Sequence, residues 1–501
     1  MAGGKVVPRE SWWTRASRRP WVRFAGGVAV FVALLAAWAG LIWQYHDTAV
    51  RNGWEVSKPQ YRDLAPLYAS LDPPTVRARQ SETWTCVAWA SVALATAWVT
   101  VGLISRRSRL MPTLVAGVCL AAAINYATAS LDGPGSITRP FERDGLEYFG
   151  DVPIVGGEPA AFLARYPKYV EGARIGWRGR LSHHARTHPP GGVLTLWAVA
   201  GVFDPSVQTA SYAAILISAL GLVPATLLVR EIAGRRAGEV AMALYLATPS
   251  LVLFGATCMD GVFAVPIVTA LWLGERALRG RWWATALIAI ASGVALGAGM
   301  LMTFAAAPCI GILWLSRVVF EAAALRWRVL LRLLIAGPLA ALVAVALIAW
   351  LQRATGYDMV ANLKGSLAVD ERFMGTGTEP GRYLDLSIAN LLAFCIGVGG
   401  ATLALATFSL GRSTWRAVRR RSTFDSAGWA HVVGIVAIAF STMFTLEVER
   451  IWLFLIPSLL ATAAIPIARL PRPQRAIATA ACVLLLYAQT WTTELIAKTH
   501  W

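Results

Sequence analysis

Uncharged stretches constrain this chain more than any other feature. Phe24 to Trp43, Trp282 to Ser316 and Ser387 to Gly411 contain no Asp, Glu, Lys or Arg. An apolar run of about 18 residues or more is the signature of a helix crossing a hydrocarbon core about 30 Å thick. Composition agrees. Of 501 residues, 56% are hydrophobic and 15% charged, with mean hydropathy +0.55, where soluble domains carry roughly 25% charged residues. The pattern predicts an all-α polytopic membrane protein and excludes soluble, disordered and fibrous classes.

Spans are expected at 21–43, 84–104, 111–130, 207–229, 238–254, 260–276, 282–301, 302–316, 329–351, 387–410, 428–446, 451–468 and 475–492, about 13 in all. The basic N-terminus followed by an apolar run imitates a signal peptide. That run, from Phe24 to Trp43, exceeds the 7–15 residues of a signal's apolar region, so it reads as a retained first span. Gly191 to Phe203 is apolar but, at 1.5 Å per residue, gives a helix of only about 20 Å. It is expected to lie at the outer interface as a juxtamembrane or re-entrant helix.

Charge fixes the sidedness. With a cytoplasmic N-terminus and a non-crossing 191–203, the inner loops and first interface hold 27 basic and six acidic residues. The remaining 19 basic and 22 acidic residues fall outside or at outer helix ends. The positive-inside rule then holds at every inner loop. The formal charge of +18 is therefore a topology signal rather than a nucleic-acid footprint. Trp12, Trp13, Trp21, Trp43, Trp84, Trp282 and Trp283 sit near span ends, as interface anchors do. The six cysteines form no CxxC pair and read as helix-packing residues.

This divides the chain into a three-span region (1–130, with outer loop 44–83), a large outer loop with its short helix (131–206, helix 191–203), core spans (207–351), an outer loop (352–386) and C-terminal spans (387–501). The 131–206 segment is far longer than ordinary connections. Its aromatics (Phe141, Tyr148, Phe149, Phe162, Tyr166, Tyr169, Trp177) suit a segment that folds against the membrane.

Candidate chemistry concentrates on the outer side. Asp144, Glu147 and Asp151 share one face if their segment is helical. They suit a general base or a divalent cation, or form a solvated acidic face paired with Arg139 and Arg143. Three histidines, His183, His184 and His188, lie within six residues. His184 and His188 have metal-pair spacing, but Pro189 disfavours helix at His188. With Arg186 at a helix start, these imidazoles suit an anionic phosphate, or are ordinary interface polarity. Asp260 opens a span, where an acid is costly and often functional, or serves as a helix cap. Glu447, Glu449 and Arg450 occupy a short outer turn, facing the same cavity or pairing locally. Gly293 and Gly297 read as a close helix-packing pair. The sequence contains no Walker loop and no GxGxxG in a strand–helix context.

In order along the chain stand the loop acids Asp144, Glu147 and Asp151; His188-Pro189-Pro190-Gly191; Arg230-Glu-Ile-Ala-Gly-Arg-Arg236; Thr248-Pro249 followed by Asp260; and Glu449-Arg450-Ile-Trp-Leu-Phe-Leu-Ile-Pro457. This layout resembles the GT-C superfamily of membrane glycosyltransferases, in its protein O-mannosyltransferase and lipid A aminoarabinose transferase branch. The resemblance covers about 131–460. It departs in placing the acidic loop after the third span rather than the first. His188 stands where some members carry lysine, and Met302-Thr303 where others do.

The resemblance implies a polyprenyl-phosphate-sugar donor and a glycan, lipid or protein acceptor on the outer face. Asp151 or Glu147, with Asp144 third, would act as general base. Arg450, Arg186, His184 and His188 would serve the phosphate, with Asp260 and Glu447 or Glu449 positioning hydroxyls. A divalent cation would be accommodated but is not required. The alanine- and arginine-rich composition suggests a bacterial source, and with the spans an inner (plasma) membrane location is expected. The competing reading is a transporter or flippase of lipid-linked sugars. It calls for polar residues at mid-membrane in two related halves, whereas polar groups here cluster in outer loops.

Overall fold

The computed structural model describes residues 20–51, 83–105, 110–130, 134–142, 145–172, 181–374, 380–419, 425–441, 443 and 448–496. Among them the secondary structure is entirely helical. The first three long helices are α1 (Pro20–Arg51), α2 (Thr83–Ser105) and α3 (Leu110–Ala129). Short pieces follow: a 3-10 turn (Pro134–Ile137), α4 (Arg139–Glu142), a second 3-10 turn (Tyr148–Asp151), α5 (Val152–Val155), α6 (Pro159–Glu171), α7 (His183–Thr187) and α8 (Gly191–Val202). The bundle then continues with α9 (Val207–Leu220), α10 (Leu222–Ala233), α11 (Arg235–Tyr245), α12 (Pro249–Leu253), α13 (Met259–Ala277), α14 (Trp282–Met302), α15 (Ala306–Ala323) and α16 (Trp327–Thr355). It closes with α17 (Met359–Met374), α18 (Pro380–Val398), α19 (Gly400–Val418), α20 (Ser426–Ala439), α21 (Val448–Ile451), a 3-10 turn (Trp452–Leu455), α22 (Ile456–Ala468) and α23 (Arg472–Ile496).

Among the described residues, six helices are long and apolar enough to cross a membrane, with α9 and α10 counted together over Val207–Ala233. A seventh follows if the bent pair α18 and α19 is one span. At two other expected span positions the apolar helices among the described residues are shorter, Ser426–Ala439 and Trp452–Ala468, while α1 and α2 are themselves 32 and 23 residues long. The helix at 191–202 is 12 residues long, well below the roughly 20 residues a crossing needs.

Two expected spans are not straight. The stretch 238–254 breaks after Tyr245 and restarts at Pro249, with Thr248 extended at ψ 125°. Proline lacks an N–H and excludes the residue before it from helical geometry. The stretch 387–410 bends by 101° at Gly399. Gly399 has φ +91°, and a Cβ there would lie 2.4 Å from Leu486, so only glycine fits.

Packing follows residue size. The α22 helix is buried on nearly every side, with Ala461, Ala463 and Ala464 at 0% exposure. A helix apolar all round belongs at the centre of a bundle, and α22 packs against α10, α11 and α19. On α14, Gly293 and Gly297 let α16 approach: a Cβ at Gly293 would meet the Ala340 carbonyl at 2.5 Å. This is the close packing expected of that spacing.

A second core gathers the short helices. Phe141, Tyr148, Phe162, Tyr166 and Leu181 pack with Val193 of α8, Phe263 of α13 and Tyr357. The described residues between α3 and α9 therefore form a folded layer seated on one end of the bundle. At the opposite end lies a buried ionic network. Arg317 reaches Glu275 at 3.6 Å and Glu321 at 3.3 Å, and the Ser426 hydroxyl donates to Glu321 at 2.6 Å. It ties α13, α15 and α20 together.

Candidate active site

Three distant parts of the chain meet at the folded layer. The first contributes Asp260. Extended backbone at Cys258 precedes α13, so Asp260 falls in its first turn, where a carboxylate is favoured by the helix dipole. The second contributes Arg450. Val448 and Trp452 are 1% and 0% exposed, and the Trp452 ring packs edge-on to Phe394 at 5.5 Å. These anchors hold α21 so that Arg450 Nε lies 3.0 Å from Asp260 Oδ2, both side chains being nearly buried. Two charges leave water at a cost of several kcal/mol each unless paired; each here is the other's partner. Burial keeps the Cys258 thiol protonated, and it donates to the same Asp260 oxygen at 3.1 Å. Cys258 is thus more than a packing residue.

The third part is the run from Ser182 to Gly192. His188 is extended (φ −128°, ψ 164°) ahead of the two prolines, as the sequence anticipates. Its Nδ1 lies 3.1 Å from the His184 carbonyl. A carbonyl only accepts, so Nδ1 carries the proton and Nε2 keeps its lone pair in the neutral ring. Burial, with Arg450 and His184 acting in the same sense and Asp260 opposing, lowers the His188 pKa to about 4. His188 is therefore neutral at pH 7. His183 is likewise lowered to about 4, by burial and then by His184.

Tyr148 is the hub. Its ring lies 6.1 Å from His184 and from His188, and 5.6 Å from Phe263. Burial, then Asp260 and Glu147, raise its pKa well above the phenol range, which keeps the hydroxyl protonated. Gly192 makes the approach fit, since a Cβ there would meet the Tyr148 ring at 2.9 Å. Beside Tyr148, Glu147 Oε1 lies 3.0 Å from His184 Nδ1. Glu147, His184, His188, Asp260 and Arg450 thus surround one buried tyrosine.

Other candidates are placed differently. Glu147 and Asp151 do not share a helix face, whereas the three-and-four spacing of the loop acids allowed one. Gly145 has φ +75° and Glu147 is extended at ψ 157°, so no continuous helix carries them. Asp151 accepts both the Ser182 N–H, at 3.1 Å to each oxygen, and the Ser182 hydroxyl at 2.5 Å. Its carboxylate braces the turn into α7. Arg186 Nε donates to the Val170 carbonyl at the end of α6, 3.3 Å away. Asp144 and Glu447 lie outside the described residues, as does the side chain of Glu449. Among the described residues no group of three or more His, Cys, Asp or Glu is arranged to hold a metal ion.

Sequence reasoning passed over Tyr148, Phe263, Cys258 and Ser182. The one available signal was Gly191-Gly192 after a double proline, which marks a close approach by something large.

No family model and no curated protein matches the sequence. Among solved structures, the chain is similar to ArnT from Cupriavidus metallidurans bound to undecaprenyl phosphate, with TM-score 0.44 and 16% identity over 72% of this chain and 61% of that one. It is also similar to the Archaeoglobus fulgidus oligosaccharyltransferase tethered with an acceptor peptide, with TM-score 0.45 and 14% identity over 77% of this chain and 56% of that one. The chain thus spans about three fifths of the first and just over half of the second.

Proposed function

We propose that this protein is a GT-C-type membrane glycosyltransferase that moves a sugar from a polyprenyl-phosphate donor to an acceptor hydroxyl at the outer membrane surface. The observation that carries the reading is the buried Arg450–Asp260 pair beside neutral His188 and the Glu147–His184 pair. It gathers a cation, carboxylates and a lone-pair nitrogen at one buried point, which is what transfer from an anionic leaving group needs.

In this mechanism the acceptor oxygen bonds to the anomeric carbon as the carbon–oxygen bond to the phosphate breaks. Glu147 takes the acceptor proton, and His184 is its positioning residue. Arg450 stabilises the charge growing on the departing polyprenyl phosphate, and Asp260 fixes the guanidinium. His188 Nε2 and the Tyr148 hydroxyl hold sugar hydroxyls. Asp151 shapes the loop.

The test is turnover of a polyprenyl-phosphate-sugar donor by purified protein, followed as released polyprenyl phosphate. E147Q is expected to lower kcat by about 10²–10⁴-fold, the range for losing a general base. R450A is expected to lower it by about 10²–10³-fold, the range for losing a charge-stabilising donor. Full activity in E147Q removes the base assignment. Vesicles that transport lipid-linked sugar without releasing polyprenyl phosphate favour the flippase.

A further inference from the structure

The arginine-rich end of the bundle holds a second arrangement, unrelated to the site above. The α11 helix begins at Gly234, which has no side chain to cap it, and its first turn contains no acid. Instead it opens with Arg235 and Arg236. Cations at a helix N-terminus oppose the dipole, which favours an anion there. The α23 helix packs on α11 and repeats the pattern, with Arg472 and Arg475 in an acid-free first turn. Arg475 is only 5% exposed, and its Nε has no hydrogen-bond partner among the described residues. The charges that act on it are Glu239, Arg236 and Arg472, and Glu239 is itself bonded to Arg235 at 3.1 Å.

A cavity of about 20 Å³ opens beside the α11 N-terminus, between α3, α10 and α11, room for about one oxygen-sized group. Arg230 and Arg235 line it together with Thr226. Thr226 is 4% exposed and its hydroxyl has no partner among the described residues. Gly238 lets Arg230 lie close, since a Cβ there would be 2.3 Å from the Arg230 side chain. The rest of the lining is Leu110, Thr113, Leu114, Met242 and the carboxylate of Glu239, which Arg235 pairs at 3.1 Å, so Arg230 is the lining cation that no acid in the cavity wall neutralises. Met111 on the same end of α3 and Ile477 on α23 are 68% and 65% exposed, so apolar surface flanks the cations on both sides. A phosphate carrying acyl chains matches this pairing; a free phosphate would leave the apolar flanks uncovered.

We propose that the N-termini of α11 and α23 bind the phosphate of an anionic glycerophospholipid from the leaflet at this basic end, with Arg230, Arg235, Arg236 and Arg475 as its cations. One phosphate oxygen enters the cavity toward Thr226, and the acyl chains lie on Leu110 and Met111, which are 37% and 68% exposed.

The probe is lipid retention by purified full-length protein, measured by native mass spectrometry with dioleoyl-phosphatidylglycerol, dioleoyl-phosphatidylcholine or inorganic phosphate. The native chain is expected to retain phosphatidylglycerol preferentially. An arginine beside an anionic headgroup is worth about a fivefold factor, so R236Q/R475Q should cut that preference about 25-fold. R412Q/R416Q, in a different basic segment, should leave it in place. Should R475Q fail to fold, R235Q/R236Q, whose side chains are exposed, reads out the same loss. Equal retention of the two lipids by the native chain, or an unchanged preference in both double variants, overturns the proposal. Protection by inorganic phosphate with no lipid preference assigns the site to a soluble anion and overturns it too.

Discussion

Replacing Asp260 by Asn removes a charge and keeps the shape, which makes it the sharpest perturbation of the buried pair. With Nε and Oδ2 3.0 Å apart, the Coulomb term is about 5 kcal/mol at an effective dielectric of about 20. Loss of one partner strands the other charge, and such orphaning costs about 3–5 kcal/mol. D260N and R450Q are each expected to lose stability in that range. The double variant D260N/R450Q leaves no charge stranded and should lose less than the sum, with a coupling of about 2 kcal/mol or more. The assay is reversible unfolding in mixed micelles, with denaturing detergent as titrant. Additivity within about 0.5 kcal/mol, the spread for independent sites, would falsify the claim that the two charges hold each other. Donor turnover adds a second axis: if Asp260 acts through Arg450, D260N lowers turnover, and adding it to R450Q lowers turnover no further.

Further expectations concern the surrounding layer. His188 has a pKa of about 4 in the fold against about 6.5 when exposed. Between these values the unfolded chain binds the extra proton, so this stability is full above pH 6.5 and falls as pH drops toward 4, by about 3 kcal/mol. The stability gap between native protein and H188Q should therefore shrink from pH 7.5 to pH 4; a constant gap refutes a buried neutral imidazole. G192A pushes a Cβ to 2.9 Å from the Tyr148 ring and should cost about 1–3 kcal/mol, the range for overpacking, together with activity; a neutral G192A argues against Tyr148 as hub. S182A deprives buried Asp151 of its hydroxyl partner and should cost about 1–3 kcal/mol. Its kcat should change far less than that of E147Q, and an equal kcat loss in both would move the base role toward Asp151.

Periodicity and local rules made some features legible and not others. The helix at 191–202, the extended His188 and the Gly293–Gly297 contact follow from run length, from proline sterics and from the absence of a side chain. Each is decided within a few residues. The acids of the 131–206 loop are not decided locally. The same two or three residues per turn describe an acidic helix face or a chain that turns at Gly145 and sends Glu147 to His184 and Asp151 to Ser182. The difference lies in tertiary partners 30 to 40 positions away. Glycines at 145 and 150 disfavour a helix and outweigh the three-and-four spacing of the acids. Arg186 fails similarly: its charge suggests phosphate, but the Val170 carbonyl at the end of α6 is within reach. The inner-loop charges counted as a topology signal include Glu275, Arg317 and Glu321, which the fold buries as a network.

The helix breaks and the candidate site share one cause. Backbone that leaves helical geometry within a membrane bundle must be buried in protein or line a cavity. In this chain the interruptions bring together the residues of the candidate site. The segment after α12 is extended at Cys258 and places Asp260 at a helix start. The α14 helix ends in extended Thr303, and its Leu301 carbonyl sits where a Gly191 Cβ would be, 2.3 Å away. Glycine at 191 and 192 therefore lets α8 begin against the end of α14 on one side and the Tyr148 ring on the other. A straight span through 254–260 would carry Asp260 into a helix interior, away from Arg450. Insertion of a residue between Phe254 and Cys258, tolerable in an ordinary loop, should displace the start of α13 and with it Asp260 from Arg450, abolishing the pair. Retention of the Arg450–Asp260 coupling in such a variant would mean that the loop is a passive connection and that α21 alone sets the geometry.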